Sequence, residues 1–248
     1  MGATPGIATG VLIGVAVEKI LYRPLVAKAK GPSFLQVFLT GWTFVLIGNS
    51  FGRMIWGSTG YILDTGLPIW HISLGSANLS SDDLIIVSSA WILTIATYLF
   101  IRYTALGRSI AAVRSNFEMA QVVGIDPNKI YTIVFALFSF LTAVAGVFQI
   151  IKFLVVPDAG DQPIYYAFVA VFIAGVSGGV FRFATVGLLI GIISNIVTYR
   201  LDVKFSPVFV FGILFIVVAL LPYLQKIKIS IIKSIIRPSD LHFKTSRM

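Results

Sequence analysis

Residues 130–151 read IYTIVFALFSFLTAVAGVFQII, a run of 22 residues without a charged side chain. A transmembrane α-helix needs about 20 predominantly apolar residues, and this run shows no period-two alternation of the kind that marks a barrel strand. Only helices and closed barrels satisfy every backbone hydrogen bond in lipid. The run therefore predicts a membrane-spanning helix.

Six further apolar stretches accompany this one along the chain. Their approximate limits are 7–21, 34–56, 84–101, 164–180, 183–199 and 208–224. The 248 residues are 57% hydrophobic and only 12% charged, about half the charge of an average soluble domain. The predicted fold class is an all-α, polytopic transmembrane helical bundle of about seven spans. We assign residues 1–225 to this bundle and residues 226–248 to a basic tail.

The distribution of basic residues predicts an orientation. Placing the tail in the cytoplasm and alternating the loops puts 15 of the 19 Lys and Arg residues on the cytoplasmic side, as the positive-inside rule requires. The net charge of +9 is thus explained by membrane orientation, and nucleic-acid binding is not needed to explain it. It predicts a multi-pass protein of the plasma (inner) membrane, with the C-terminus and the 102–130 loop in the cytoplasm.

Several kinds of chemistry are excluded by composition. The chain has no Cys, and its two His residues, His71 and His242, lie far apart. A disulfide, a thiolate or histidine metal site and a Cys nucleophile are therefore not expected. No Gly-Lys dipeptide occurs, so the chain lacks the loop with which P-loop proteins bind ATP. We predict no catalytic residues, no metal and no cofactor.

The 103–129 segment predicts a coupling element between two spans. Apolar residues recur there at helical spacing, namely at Ile110, Val113, Phe117, Ala120 and Val123. We expect one amphipathic helix of about 15 residues that stops at Gly124. Asp126 and Pro127 then supply an N-cap and a first-turn proline for the next span. By pattern alone, the helix either lies on membrane lipid or docks a soluble cytoplasmic subunit.

The same segment resembles a known family. EMAQVVG, residues 118–124, matches the Glu-Ala-Ala…Gly loop of ABC importer permeases, with Met119 in place of the second Ala. GRSIAAVRSNFEMAQVVGID, residues 107–126, resembles the branched-chain amino acid permease family, which also includes urea and short-chain amide transporters. EKILYRPL at 18–25, ALFSFLTAVAGVF at 136–148 and AFVAVFIAGVSGGVFRFATVGLLIG at 167–191 are similar to that family in the same order. The resemblance covers roughly residues 10–222 and looks most like the family's first permease subunit.

The resemblance implies an importer for branched-chain amino acids or related small polar solutes. Its implied partners are cytoplasmic ATP-binding subunits, a second permease subunit and an extracytoplasmic solute-binding protein. The residues that it assigns to ATPase coupling are Arg108, Arg114, Glu118, Ala120 and Gly124. It also implies further apolar segments before Met1, so a truncated, non-transporting remnant is one alternative.

Polar and glycine residues within the spans are candidates for the translocation path, because polar groups in lipid are costly and often functional. These candidates are Asn49, Ser50, Gln149, Gly175, Ser177, Gly178, Gly179 and Asn195. Ordinary interhelical hydrogen bonding and close helix packing are the competing interpretations. The four-residue spacing of Gly2, Gly6, Gly10 and Gly14 likewise favours close packing.

A self-contained secondary carrier or channel and a membrane enzyme are the other hypotheses. A proton- or sodium-driven carrier often needs a carboxylate within a span, and the sequence predicts none. Glu18 and Lys19 are placed at a helix end without a special role. The tail, with Ile pairs between lysines, predicts either a basic amphipathic helix on membrane lipid or a solvated segment.

Overall fold

A computed structural model describes residues 3–28, 34–61, 70–74, 77–175, 178–201, 205, 207–213, 215–216 and 219. The predicted basic tail and candidate Ser177 lie outside these residues. The chain divides into two compact units, Met1–Asp161 and Gln162–Met248. Each unit is described on its own below.

The first unit is built almost entirely of helices. Its helical elements are α1 (Ala3–Val17), a π-helical turn (Glu18–Tyr22), α2 (Arg23–Lys28), α3 (Phe34–Trp56), α4 (Ser81–Tyr103), α5 (Ala105–Ser115), α6 (Phe117–Val122) and α7 (Pro127–Lys152). The second unit contains α8 (Asp161–Ala174, which begins at the boundary), α9 (Val180–Arg200) and the helical residues 207–213.

Four of the described helical segments are long and apolar enough to cross a membrane. They are Thr4–Leu25, Ser81–Tyr103, Pro127–Lys152 and Val180–Arg200. Few of their residues are enclosed by the protein, and large side chains such as Leu12, Ile92 and Phe138 are more than half exposed, which suits contact with lipid tails. The all-α, polytopic membrane fold is confirmed. Six of the seven predicted stretches correspond to described helices, and much of the seventh lies outside the described residues.

Helices α1 and α7 pack antiparallel along a stripe of small residues. A Cβ atom added to Gly10 would stand 2.9 Å from the Cβ of Ala143, and one added to Gly14 would stand 1.7 Å from the Oγ of Ser139. Around Gly6 the described atoms leave open space. Two of the three glycines therefore bring the backbones together, as small residues do between membrane helices.

The last turns of α3 form a hydrogen bond and an ion pair with residues between the end of α7 and the start of α8. The Asn49 side-chain amide donates to Asp161 Oδ1 at 2.8 Å, and Arg53 pairs with Asp158 at 3.1 Å. Nearby, Tyr61 and Val155 exchange both backbone hydrogen bonds, at 3.0 and 2.9 Å.

A short antiparallel hairpin precedes α4, in a segment between two of the predicted spans. Strand β1 (His71–Leu74) pairs with β2 (Ala77–Ser80). The strands are short and polar in part, so their alternation is too weak to distinguish from a loop. Just after the hairpin, Asp83 forms an ion pair with Lys152 at the end of α7.

The second unit has its own apolar core. Val169 and Ala170 of α8 are buried against Ile190 of α9 and against Val210. Within this core, the Tyr166 hydroxyl lies 2.8 Å from the Ser194 hydroxyl, and Gln162 donates to the same Tyr166 oxygen at 2.7 Å. This polar chain joins the first turns of α8 to the middle of α9.

Candidate coupling site

The connection between α4 and α7 contains two helices, not the single helix that the sequence predicted. Asn116 separates α5 from α6 with extended backbone angles, φ −156° and ψ 110°. Its side-chain oxygen accepts a hydrogen bond from the Met119 N–H at 3.0 Å, the arrangement of an N-cap. The prediction of one continuous helix was wrong because the apolar period runs through Asn116 and conceals a residue that favours helix starts.

A tight turn sets the direction of α5 against α4. The Thr104 hydroxyl accepts a hydrogen bond from the Gly107 N–H at 3.1 Å and caps α5. A Cβ atom at Gly107 would stand 1.9 Å from the carbonyl oxygen of Ile101. Only glycine fits there, because the obstructing atom belongs to the backbone of α4.

The end of α6 and the start of α7 follow the sequence prediction. Gly124 has a φ of +83°, which favours glycine. The Gly124 N–H donates to the Gln121 carbonyl at 3.0 Å, and the Ile125 N–H donates to the Ala120 carbonyl at 2.9 Å. This pair of bonds is a Schellman motif. Asp126 Oδ1 accepts from the Asn128 N–H at 3.0 Å and caps α7.

The inner face of α5 and α6 packs on α7. Val113, Ala120 and Ile130 are buried together at 7%, 2% and 7% exposure. Ile110 and Ile125 cover the edges of this cluster. Burying such side chains contributes about 1.5–3 kcal/mol for each large one. The two short helices are therefore attached to the first turns of α7.

The opposite face of the two helices is exposed. We define the outer coupling face as the apolar residues Phe117, Met119, Val122 and Val123 with the charged residues Arg108, Arg114 and Glu118. Val122 is 79% exposed and Val123 is 69% exposed. The predicted apolar stripe is thus divided. Its Ile110, Val113 and Ala120 contact α7, and only Phe117 and Val123 remain on the outside.

Glu118 is the acidic residue of the outer coupling face. It lies in the first turn of α6 and is exposed. Within the described part of the chain no side chain bonds to it, and Asn116 supplies the cap that Glu118 could have supplied. A carboxylate in the first turn of a helix is favoured by the helix dipole. Its carboxylate therefore lies exposed at the start of α6.

Glu18 is the residue that the sequence interpretation missed. It is 2% exposed and lies in the π-helical turn inside the Thr4–Leu25 span. The Thr132 hydroxyl donates to its Oε2 at 3.0 Å. The prediction that Glu18 ends a helix, and that no carboxylate lies within a span, was wrong because the helix continues beyond Tyr22 as α2.

Three path candidates lie in the first unit. The Asn49 side chain donates a hydrogen bond to Asp161, the first residue of α8. The Gln149 side chain donates a hydrogen bond to the carbonyl oxygen of Ala159, which precedes α8, at 3.4 Å. Ser50 donates to the Leu46 carbonyl of its own helix at 2.8 Å, and it also borders an apolar groove of about 420 Å³ on α3.

The remaining candidates lie in the second unit. Gly175 ends α8 with a φ of +78°, and Gly179 precedes α9. At Gly178 an added Cβ would stand 2.9 Å from the Ala174 carbonyl oxygen. Asn195 is exposed. Among the described residues of this unit, the polar side chains packed in the core are instead the partly buried Tyr166 and the buried Ser194, which composition alone could not have distinguished from other core residues.

Clusters of acidic, histidine or cysteine side chains that could hold a metal do not occur among the described residues. The candidate coupling site carries a mixed exposed surface. It combines exposed apolar groups, both signs of charge and a rigid attachment to α7.

Comparisons with known proteins identify the family of the chain. The family model described as "Branched-chain amino acid transport system / permease component" matches residues 2–219. The permease protein LivH of Salmonella typhimurium, from a high-affinity branched-chain amino acid transport system, is 24% identical over 214 residues, covering 84% of this chain and 68% of LivH. LivH of Escherichia coli is also 24% identical, over 218 residues, with the same two coverages.

A sugar permease is also similar over a shorter region. The fructose import permease protein FruF of Bifidobacterium longum is 34% identical over 143 residues, 53% of this chain and 39% of FruF. This chain thus spans about two-fifths of the length of FruF and about two-thirds of that of LivH. No solved structure matches the chain. Because the family model covers most of its length, the chain belongs to the branched-chain amino acid transport system permease family.

Proposed function

We propose that this chain is the permease subunit of an ABC importer, with α5 and α6 on the cytoplasmic side. The observation that carries the proposal is the outer coupling face, an exposed surface on two helices that are themselves attached to α7. Exposed apolar patches that are rimmed by polar residues mark protein or membrane interaction sites, and Phe117, Met119, Val122 and Val123 are exposed beside Arg114 and Glu118. The charge distribution of the loops supports the cytoplasmic placement.

The proposed partners of this face are separate ATP-binding subunits. Apolar contact with Met119 and Val122 would supply affinity, while Glu118 and Arg114 would set the orientation. Because the inner face packs on Ile130, a displacement of α5 and α6 would move the cytoplasmic end of α7 with them. A second permease subunit and an extracytoplasmic solute-binding protein complete the proposed importer, and the chain itself would carry no enzymatic activity.

The proposed substrates are branched-chain amino acids. The support is the similarity to LivH across 84% of the chain. A sugar is the second candidate, since FruF and the ribose import permease protein RbsC of Haemophilus influenzae are each 34% identical over about half of the chain.

Uptake into proteoliposomes tests both the mechanism and the substrate. The chain would be reconstituted with co-expressed ATP-binding, second permease and solute-binding subunits from the source genome, and supplied with labelled leucine, fructose or ribose. We expect accumulation of leucine only when ATP is enclosed on the ATPase side. Accumulation of a sugar instead would retain the importer and change the substrate. Equal uptake with ADP would contradict ATP coupling and favour a self-contained carrier.

A further inference from the structure

Glu18 is a buried carboxylate with little to hold it. It is 2% exposed, and among the described residues its one hydrogen bond comes from the neutral hydroxyl of Thr132. Burying a carboxylate is costly unless it is paired or well bonded. Ionisable groups within membrane spans are accordingly functional candidates whose charge partner should be sought.

A cavity beside Glu18 is also lined by a basic residue, Arg23. It has a volume of about 170 Å³, and its lining includes Glu18, Tyr22, Arg23, Val37 and Asn128. Glu18 and Arg23, residues of opposite charge, thus both line this cavity. The two do not form an ion pair here, and the Arg23 side chain is exposed.

The π-helical turn explains why Arg23 shares this cavity. The Arg23 N–H donates to the Glu18 carbonyl oxygen, an i to i+5 bond. In an α-helix, neighbours on one face are three or four residues apart. The wider π turn brings the fifth residue onto the same side instead, and such turns are frequent at functional sites.

Thr132 connects Glu18 to the coupling helices. It lies on α7 two residues after Ile130, which is buried against Val113 of α5 and Ala120 of α6. A displacement of α5 and α6 would therefore shift the helix turn that carries the Thr132 hydroxyl. The hydrogen bond to Glu18 is the polar contact nearest to that cluster between α7 and the first span.

We propose that Glu18 is a positioning residue that exchanges partners during the transport cycle. In the arrangement seen here its carboxylate accepts a hydrogen bond from the Thr132 hydroxyl. It forms an ion pair with Arg23 when the ATP-binding subunits move the start of α7. The exchange closes the cavity. It also breaks the contact between the first span and α7 at Glu18 and Thr132. This inference rests on the proposed function, because it requires force applied through α5 and α6.

Cysteine labelling can follow the exchange, because the chain has no native cysteine. Val37→Cys places a thiol in the cavity wall, and its reaction with N-ethylmaleimide would be measured in the assembled complex, without nucleotide and after trapping with ATP and orthovanadate. We expect trapping to slow labelling by about two- to thirtyfold, the range for residues along a coupling route. Glu18→Gln and Arg23→Gln should abolish the slowing. Thr132→Val removes the hydroxyl that competes with Arg23 for Glu18. This variant should therefore be labelled slowly both without nucleotide and after trapping.

Thr94→Val is the matched control, because the Thr94 hydroxyl bonds only to the Ala90 carbonyl of its own helix. It should behave as the parent does. Persistent slowing in the Arg23→Gln variant, which changes an exposed side chain, would overturn the proposal. Thr132→Val labelling like the parent would also overturn it, whatever happens to the folding of Glu18→Gln. A parent complex that traps vanadate without slowing refutes only this proposal, whereas failure to bind ATP-binding subunits refutes the proposed function as well.

Discussion

Replacement of Gly14 by valine is expected to prevent α1 from packing on α7. The added Cβ would stand 1.7 Å from the Oγ of Ser139 and 2.5 Å from its Cβ. Rotating the serine moves only its oxygen, so the two backbones must separate. Overpacking of this kind costs about 1–3 kcal/mol and sometimes more. We expect the purified chain to show a much lower unfolding temperature or to aggregate.

Gly6→Val is the matched control for this prediction. Gly6 lies on the same helix and the same four-residue spacing, but the described atoms leave open space around it. Its variant should unfold near the wild-type temperature in the same detergent. Combining Gly14→Val with Ser139→Gly should recover part of the loss, since that change removes the colliding atoms. Equal unfolding temperatures for Gly14→Val and Gly6→Val would show that the α1–α7 interface is wrong.

Replacement of Gly107 by alanine is expected to detach α5 from its position below α4. The new Cβ would stand 1.9 Å from the Ile101 carbonyl oxygen and 2.7 Å from the Ile101 Cα. Both atoms are backbone, so no side-chain rotation relieves the collision. We place the cost at about 3 kcal/mol or more, the upper part of the range for overpacking. The Thr104 cap would be lost with it.

The local nature of this change can be measured through Ala120, which is 2% exposed. In an Ala120→Cys background, Gly107→Ala should make the thiol react with a maleimide many times faster. Gly146→Ala serves as the control, because it adds a methyl group to α7 where the described atoms leave room. If the thiol stays equally protected in both variants, the turn between α4 and α5 does not depend on glycine.

Local chemistry explains which parts of the coupling site were predictable. Gly124 and Asp126 act through hydrogen bonds to residues only two to five positions away. Their roles are therefore visible in a short window of sequence. Asn116 acts just as locally. It lies, however, within a run of apolar residues at helical spacing, and that spacing predicted one continuous helix. Its role as a cap became evident from the backbone angles and from the hydrogen bond that it accepts from the Met119 N–H.

Long-range contacts explain what the sequence could not predict. Glu18 and Thr132 are 114 residues apart in the chain, and nothing in either neighbourhood specifies the other. The division of the apolar stripe has the same origin. Whether Val113 or Val123 faces outward depends on where α7 passes, and hydrophobic spacing identifies a face without naming its partner.

Capture of the ATP-binding subunits is expected to require the outer coupling face. The tagged chain, co-expressed with those subunits, would be purified as wild type, Glu118→Lys, Val122→Asp and the control Arg53→Glu. Arg53 is an exposed residue at the opposite end of its unit's helices, in an ion pair of small expected value. We predict that wild type and Arg53→Glu retain the ATP-binding subunits and that both outer-face variants lose them. Equal recovery with all four chains, or none with wild type, would contradict the assignment of α5 and α6 as the coupling site.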